Sequence, residues 1–152
     1  MMKDDGSSFG VFVYGTLKQG LRNHGVNKGV RRAGEFETLE ALPLYIVGKH
    51  FLPWLLDLPG QGFCVRGELY DCTAAELAAM DKLERIGEPG WYLRRQIVLR
   101  PVLAAPDSAP LSVQAWVYFG SQSGFTGATC HAGPLREYTA DLAQTYRPAT
   151  GQ

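Results

Sequence analysis

One segment of this 152-residue chain is strongly helical, and it stands between segments with the character of strands. Residues 73–86, TAAELAAMDKLERI, are rich in alanine and leucine, which favour helix interiors. Thr73 followed by Glu76 has the spacing of a capping box, and Gly87 is a typical residue just after a helix end. We therefore predict a helix from Thr73 to Ile86.

Segments with strand character are more numerous. Residues 9–16, FGVFVYGT, are mostly apolar on both faces, which is typical of a central strand. Further strand candidates lie at residues 36–39, 44–47, 63–71, 92–99 and 112–119. Because the segments do not follow a βαβ repeat, the pattern favours an α+β domain. We expect a small mixed sheet, mostly antiparallel and barrel-like, with flanking helices.

Two segments between these candidates have little periodicity. Residues 18–34 are rich in glycine and basic residues, so we expect a loop with one short helical turn. Residues 50–62, HFLPWLLDLPGQG, contain Pro53 and Pro59, which are incompatible with a continuous helix or a central strand. We expect a structured apolar loop that lies over the core.

The remaining segments set the domain limits. Residues 100–111 are rich in proline and alanine and predict a long exposed loop, and residues 135–146 predict a last helix. A chain of this length fits one domain of roughly 100–200 residues. We assign residues 1–8 to a flexible N-terminus, 9–147 to a single domain and 148–152 to a tail.

Charge and cysteine content argue against several classes of protein. Fifteen Lys and Arg balance fifteen Asp and Glu, so the chain lacks the excess of basic residues that is typical of nucleic-acid-binding proteins. No apolar run reaches the roughly 18–20 residues that span a bilayer, and the first residues lack the apolar stretch of a secretory signal. Three cysteines, Cys64, Cys72 and Cys130, show no metal-ligand spacing and suit a reducing compartment. We expect a cytoplasmic protein without a metal and, because no heptad pattern is present, a monomer.

Glu84 is the first candidate for chemistry. On a wheel of about 100° per residue, its side chain falls between Leu77 and Met80, inside the apolar stripe of the predicted helix. Desolvation there would raise its pKa and suit the carboxyl for proton transfer. Asp81 lies at the edge of the stripe and fits a surface or capping role. The alternative for Glu84 is a carboxylate that reaches solvent or forms an ion pair with Lys82, Arg94 or Arg95.

The end of the first strand is the second candidate. A glycine at this position lets the backbone turn and approach a ligand closely. Successive backbone N–H groups in such a turn can bind an anion. The alternative is a plain turn at the end of a strand. The four residues concerned are Tyr14, Gly15, Thr16 and Leu17.

Two further residues are weaker candidates for a pocket. The amide of Asn23 could donate a hydrogen bond, although polar loop residues usually bind nearby backbone. The hydroxyl of Tyr118 could reach a pocket, although a tyrosine of the core is the simpler interpretation.

Several of these segments occur together in one known family. Residues 12–24 (FVYGTLKQGLRNH), 43–62 (PLYIVGKHFLPWLLDLPGQG), 65–71 (VRGELYD), 80–84 (MDKLE) and 91–99 (WYLRRQIVL) follow one another in this order. The set resembles the gamma-glutamylcyclotransferase-like family, also called the AIG2-like family, over roughly residues 9–120.

The resemblance implies a fold, a reaction and a site. The fold would be a small mixed barrel, and the reaction would release 5-oxoproline from a γ-glutamyl group with expulsion of the attached amine. Tyr14, Gly15, Thr16 and Leu17 match the family's substrate-binding loop, and Glu84 matches its catalytic acid and base. No cofactor is implied. The substrate would be a small γ-glutamyl amine, with no nucleic-acid or membrane partner.

The resemblance leaves the leaving amine open. A γ-glutamyl amine such as γ-glutamyl-ε-lysine is our leading expectation. The alternatives are the same cyclisation on another γ-glutamyl compound or a non-catalytic binding protein of the family. Residues 85–91 form a longer segment here than in close relatives, and we expect it to reshape one wall of the pocket.

Overall fold

The computed structural model describes residues 8–102 and 112–146. Our predictions for residues 1–7, for 103–111 of the long loop and for the 148–152 tail lie outside these ranges. The strands are β1 (Phe9–Val13), β2 (Val30–Arg31), β3 (Phe36–Thr38), β4 (Leu44–Val47), β5 (Leu52–Leu55), β6 (Arg66–Cys72), β7 (Tyr92–Pro101), β8 (Val113–Gly120) and β9 (Cys130–Leu135). The helices are α1 (Ala74–Leu83), α2 (Gln122–Thr126) and α3 (Ala140–Ala143), with one 3₁₀ turn at His24–Val26.

Five strands close into a mixed barrel. Their order is β1-β8-β7-β3-β6, and β6 pairs again with β1, which removes the open edges. The β1–β8 pair is parallel, and the other four pairs of the barrel are antiparallel. The expected α+β fold with a small, mostly antiparallel barrel and flanking helices is confirmed, as is the short helical turn within residues 18–34.

Strand β1 is buried on both faces, as its apolar run predicts. The side chain of Phe12 belongs to one core cluster, and those of Val11 and Val13 belong to a second one. Helix α1 covers this second cluster with Leu77 and Met80. The barrel therefore places the end of β1 close to the helix that leads to Glu84.

The expectation of a loop throughout residues 50–62 is wrong. Leu52–Leu55 forms strand β5, which lies at the edge of a second sheet of order β5-β4-β9. An edge strand tolerates Pro53 because one side of it needs no backbone donor. Pro53, Trp54 and Leu55 of this strand are buried, so it does cover the core.

The predicted end of the long helix is also wrong. The capping box of Thr73 and Glu76 forms as expected, but α1 ends at Leu83 with Glu84 as its C-cap. Arg85 takes a left-handed conformation with φ 56°, and its N–H donates to the Lys82 carbonyl. The next N–H, that of Ile86, donates to the Asp81 carbonyl, which completes a Schellman motif. The chain thus leaves the helix before Gly87, although glycine is the usual residue for this conformation.

The last helix is much shorter than predicted. The first residue of the predicted helix, Leu135, instead ends β9 and pairs with Leu44 of β4. Pairing across the sheet overrides the local helical pattern. Helix α3 begins only after Thr139, whose side chain caps it by accepting from the Leu142 N–H. Helix α2 was not predicted, and its signal is Ser121, which caps it in the same way.

None of the helices in the described ranges combines the length and the apolar character needed to cross a bilayer. The longest of them, α1, has ten residues.

Candidate active site

One pocket brings together residues from the end of β1, from the end of α1 and from the edge of the second sheet. It is lined by Tyr14, Gly15, Thr16, Asn23, Leu52, Pro53, Leu83, Glu84, Arg85, Trp91, Tyr92 and Tyr146. Five of the residues proposed from the sequence are among them: Tyr14, Gly15, Thr16, Asn23 and Glu84. Leu17 and Tyr118 are not.

Glu84 carries the carboxyl group of this pocket. Its side chain is half-buried, and it forms neither a salt bridge nor a side-chain hydrogen bond within residues 8–102 and 112–146. Arg94 and Arg95, which were the alternative partners, pair with Asp81 and Asp57 instead. Burial raises the pKa of Glu84 to about 8, and the negative charge of Asp81 adds to this shift. A carboxyl with such a pKa can gain or lose a proton near neutral pH.

Two buried tyrosines stand beside Glu84. The hydroxyl of Tyr14 donates to the backbone carbonyl of Tyr118, and that of Tyr92 donates to the backbone carbonyl of Pro53 over 2.6 Å. Burial raises the pKa of both phenols, and the charge of Glu84 raises them further. Both hydroxyls therefore stay protonated. Their hydrogen bonds hold the rings of Tyr14 and Tyr92, which line the pocket, in place.

The turn after β1 presents its backbone to the pocket. A Cβ atom on Gly15 would lie 2.8 Å from Cγ of Pro53, so only glycine fits between the turn and β5 without displacement. The backbone N–H groups of Gly15 and Thr16 have no acceptor among the described residues. Two such groups in one turn form a suitable site for a carboxylate or an oxyanion.

The turn is braced from behind. The amide of Asn23 donates to Oγ1 of Thr16 over 2.7 Å and to the hydroxyl of Tyr146 over 3.2 Å. The buried amine of Lys18 donates to the backbone carbonyl of Tyr138 over 2.7 Å. These contacts join the turn to the C-terminal segment, which contributes Tyr146 to the pocket.

Leu17 and Tyr118 lie behind the pocket rather than in it. The side chain of Leu17 belongs to the core, and its carbonyl accepts a hydrogen bond from the Asn27 amide. The hydroxyl of Tyr118 donates to Oδ1 of Asp81 over 2.7 Å. Burial and this hydrogen bond raise the pKa of the Tyr118 phenol. Asp81 is thus part of a partly buried polar network with Tyr118 and Arg94 instead of a cap.

Sequence reasoning missed the other lining residues except for Arg85 and Trp91. Leu52 and Pro53 were assigned to a loop, and Tyr92 was assigned only to a strand. Arg85 and Trp91 belong to the longer segment after Glu84, which was expected to form one wall. Within the ranges that the structure describes, no three His, Cys, Asp or Glu side chains come together in a way that could hold a metal ion.

The barrel and this pocket define a class of protein: a small α+β barrel whose pocket holds one half-buried carboxyl, an arrangement that suits an enzyme acting on a small molecule. Comparison with known proteins identifies the family. The model of the family described as "Gamma-glutamyl cyclotransferase, AIG2-like" matches residues 11–138. The chain belongs to this family, and its relatives show that it is a cyclotransferase enzyme.

Relatives and solved structures agree with this assignment. Proteins named gamma-glutamylaminecyclotransferase from Rattus norvegicus and Homo sapiens are 41% and 42% identical to this chain, over 71% of it in each case. The matches cover 75% and 76% of those two proteins. The crystal structure of an AIG2-like protein from Mus musculus aligns with a TM-score of 0.73 at 32% identity. That alignment covers 95% of this chain and 97% of the mouse chain.

Proposed function

We propose that this protein cyclises a γ-glutamyl amine to 5-oxoproline and releases the free amine, with Glu84 as general acid and base. The observation that carries the proposal is the carboxyl of Glu84, which faces the pocket without an ionic partner among the described residues. The names of the relatives support the substrate class, and γ-glutamyl-ε-lysine is the substrate that we propose to test first.

The pocket offers partners of both charges to the glutamyl end. The α-ammonium group of the substrate pairs with ionised Glu84. The N–H groups of Gly15 and Thr16 bind the α-carboxylate or the oxygen of the γ-carbonyl, on which negative charge develops. The five-membered ring closes within one molecule, which lowers the entropic cost of the reaction.

The proton transfers can be completed with one carboxyl. Glu84 takes a proton from the α-ammonium group, and the neutral nitrogen attacks the γ-carbonyl carbon. Protonated Glu84 then gives its proton to the leaving nitrogen as the bond to the amine breaks. A second proton passes from the ring nitrogen to the released amine. The leaving nitrogen gains the two protons that the α-nitrogen loses, so Glu84 begins and ends the cycle ionised.

The test is to incubate the protein with γ-glutamyl-ε-lysine and to measure 5-oxoproline and lysine in equal amounts. Other γ-glutamyl amines form the second arm, which identifies the same reaction on a different leaving group. Absence of 5-oxoproline with all of them would overturn the proposal and leave a binding protein of the family.

We also propose that the protein is a monomer and that it is located in the cytoplasm. The three free cysteines support the second point, because a reducing compartment keeps thiols from forming disulfides.

A further inference from the structure

Arg85 occupies a position in the pocket that the cyclisation of the glutamyl group does not use. It follows Glu84 directly and lines the same pocket. Its guanidinium carbon lies 4.4 Å from the centre of the Trp91 ring, which is a cation–π contact. Among the described residues that line the pocket, it is the one with a permanent positive charge.

The backbone of Arg85 is in a conformation that favours another residue. Its φ of 56° lies in the left-handed region, where the C′ position of a Schellman motif is usually glycine. A left-handed arginine is energetically unfavourable, and such backbone outliers concentrate at functional sites. The strained turn places the long cationic side chain of Arg85 in the lining of the pocket, next to Glu84.

The guanidinium remains available to a ligand. The side chain is 25% exposed, and its one ionic partner among the described residues is Glu88, with Nη1 and Oε1 3.8 Å apart. Glu88 is itself more than half exposed, so this pair is weak in water. The Trp91 ring supports the guanidinium, and beyond the long ion pair with Glu88 its N–H groups can bind a carboxylate side-on.

We propose that Arg85, supported by Trp91, binds a carboxylate on the leaving amine, so that the enzyme prefers γ-glutamyl amines whose leaving group is an amino acid. This inference rests on the proposed function. If the glutamyl end occupies Glu84 and the turn at Gly15 and Thr16, the wall formed by Arg85 and Trp91 faces the departing amine. An alkyl amine without a carboxylate leaves this cation unused.

The test compares two substrates that differ by one group. The leaving amine of γ-glutamyl-ε-lysine carries a carboxylate, and γ-glutamylcadaverine is the same molecule without it. For the wild-type protein we expect kcat/KM to be about tenfold or more higher for the lysine substrate, the effect of one charge-assisted hydrogen-bond pair. In Arg85→Gly, which suits the left-handed turn, this ratio should fall to near one.

Two further variants separate charge from structure. Arg85→Lys keeps the charge but loses the planar guanidinium, and it should retain part of the preference. Glu88→Gln is the matched control, because it removes the neighbouring charge and should keep the preference at or above that of the wild type. Circular dichroism and thermal melting of each variant show that the fold is intact.

The outcomes distinguish this inference from the proposed function. If the wild-type protein cyclises both substrates equally well, or if Arg85→Gly slows both by the same factor, Arg85 does not select the leaving amine and the inference is wrong. The second result would place Arg85 on the α-carboxylate that both substrates share. If the wild-type protein makes 5-oxoproline from neither substrate, the proposed function itself has failed.

Discussion

Asp81 and Glu84 lie three residues apart at the end of α1, and their carboxyl groups have opposite surroundings. Oδ1 of Asp81 is 3.0 Å from Nε of Arg94 and accepts a hydrogen bond from the Tyr118 hydroxyl. Glu84 has neither kind of partner among the described residues, and burial raises its pKa to about 8. A carboxyl whose surroundings raise its pKa toward neutrality is typical of sites where that group transfers protons.

The first prediction concerns the role of Glu84. Glu84→Gln keeps the size of the side chain but cannot exchange a proton, so we expect kcat to fall by about 10²-fold or more. Production of 5-oxoproline from γ-glutamyl-ε-lysine measures the effect. Glu88→Gln is the control, because the same chemical change is made at a more exposed residue four positions away. Full activity in Glu84→Gln would show that another group transfers the proton.

The second prediction concerns the pH dependence of activity. Because the proposed mechanism needs ionised Glu84, kcat/KM should rise with pH up to about 8 and then level off. The negative charge of Asp81 contributes to the raised pKa. Asp81→Asn removes that charge and leaves Arg94 without its partner, so the rise should move to lower pH. Asp57→Asn, which breaks the distant pair with Arg95, should leave the profile in place.

The third prediction concerns stability. In the folded protein the pKa of Glu84 is about 8, above its ordinary value of 4.5. Between these two values the folded state holds a proton that the unfolded state releases, so the contribution of Glu84 to the free energy of unfolding decreases as pH rises. Glu84→Gln has no such dependence. Its Tm relative to the wild type should therefore increase from pH 4.5 to pH 8, and a constant difference in Tm would contradict the assigned pKa.

The amino-acid pattern predicted those parts of the fold that depend on local physics. The apolar run of β1 and the capping box at Thr73 gave correct elements because burial and capping act over a few residues. The errors lie where pairing with a strand distant in the sequence determines the local structure. Residues 52–55 became a strand because β4 lies beside them, and Leu135 left its predicted helix to pair with Leu44.

The same distinction between local patterns and long-range contacts applies to the residues of the candidate site. The helical period placed Glu84 beside Met80, and the glycine at position 15 marked the turn, so both could be located from the sequence. Tyr92 and Tyr146 reach the pocket only because the barrel closes and the C-terminal segment returns to it. No spacing in the sequence indicates those contacts.

The last prediction concerns the turn at Gly15. In Gly15→Ala the new methyl group would lie 2.8 Å from Cγ of Pro53, so either the turn or β5 must move. We expect the free energy of unfolding to fall by about 1–3 kcal/mol, as in other overpacked sites, and KM to rise because the N–H groups of Gly15 and Thr16 lose their alignment. Gly25→Ala is the matched control, since a methyl group there meets no atom within 4 Å. Trimming the ring in the double variant Gly15→Ala/Pro53→Ala should restore part of both losses. If KM recovers with stability, close packing on Pro53 explains the need for glycine. If stability recovers and KM does not, displacement of the turn by Pro53 is not the cause of the weaker binding.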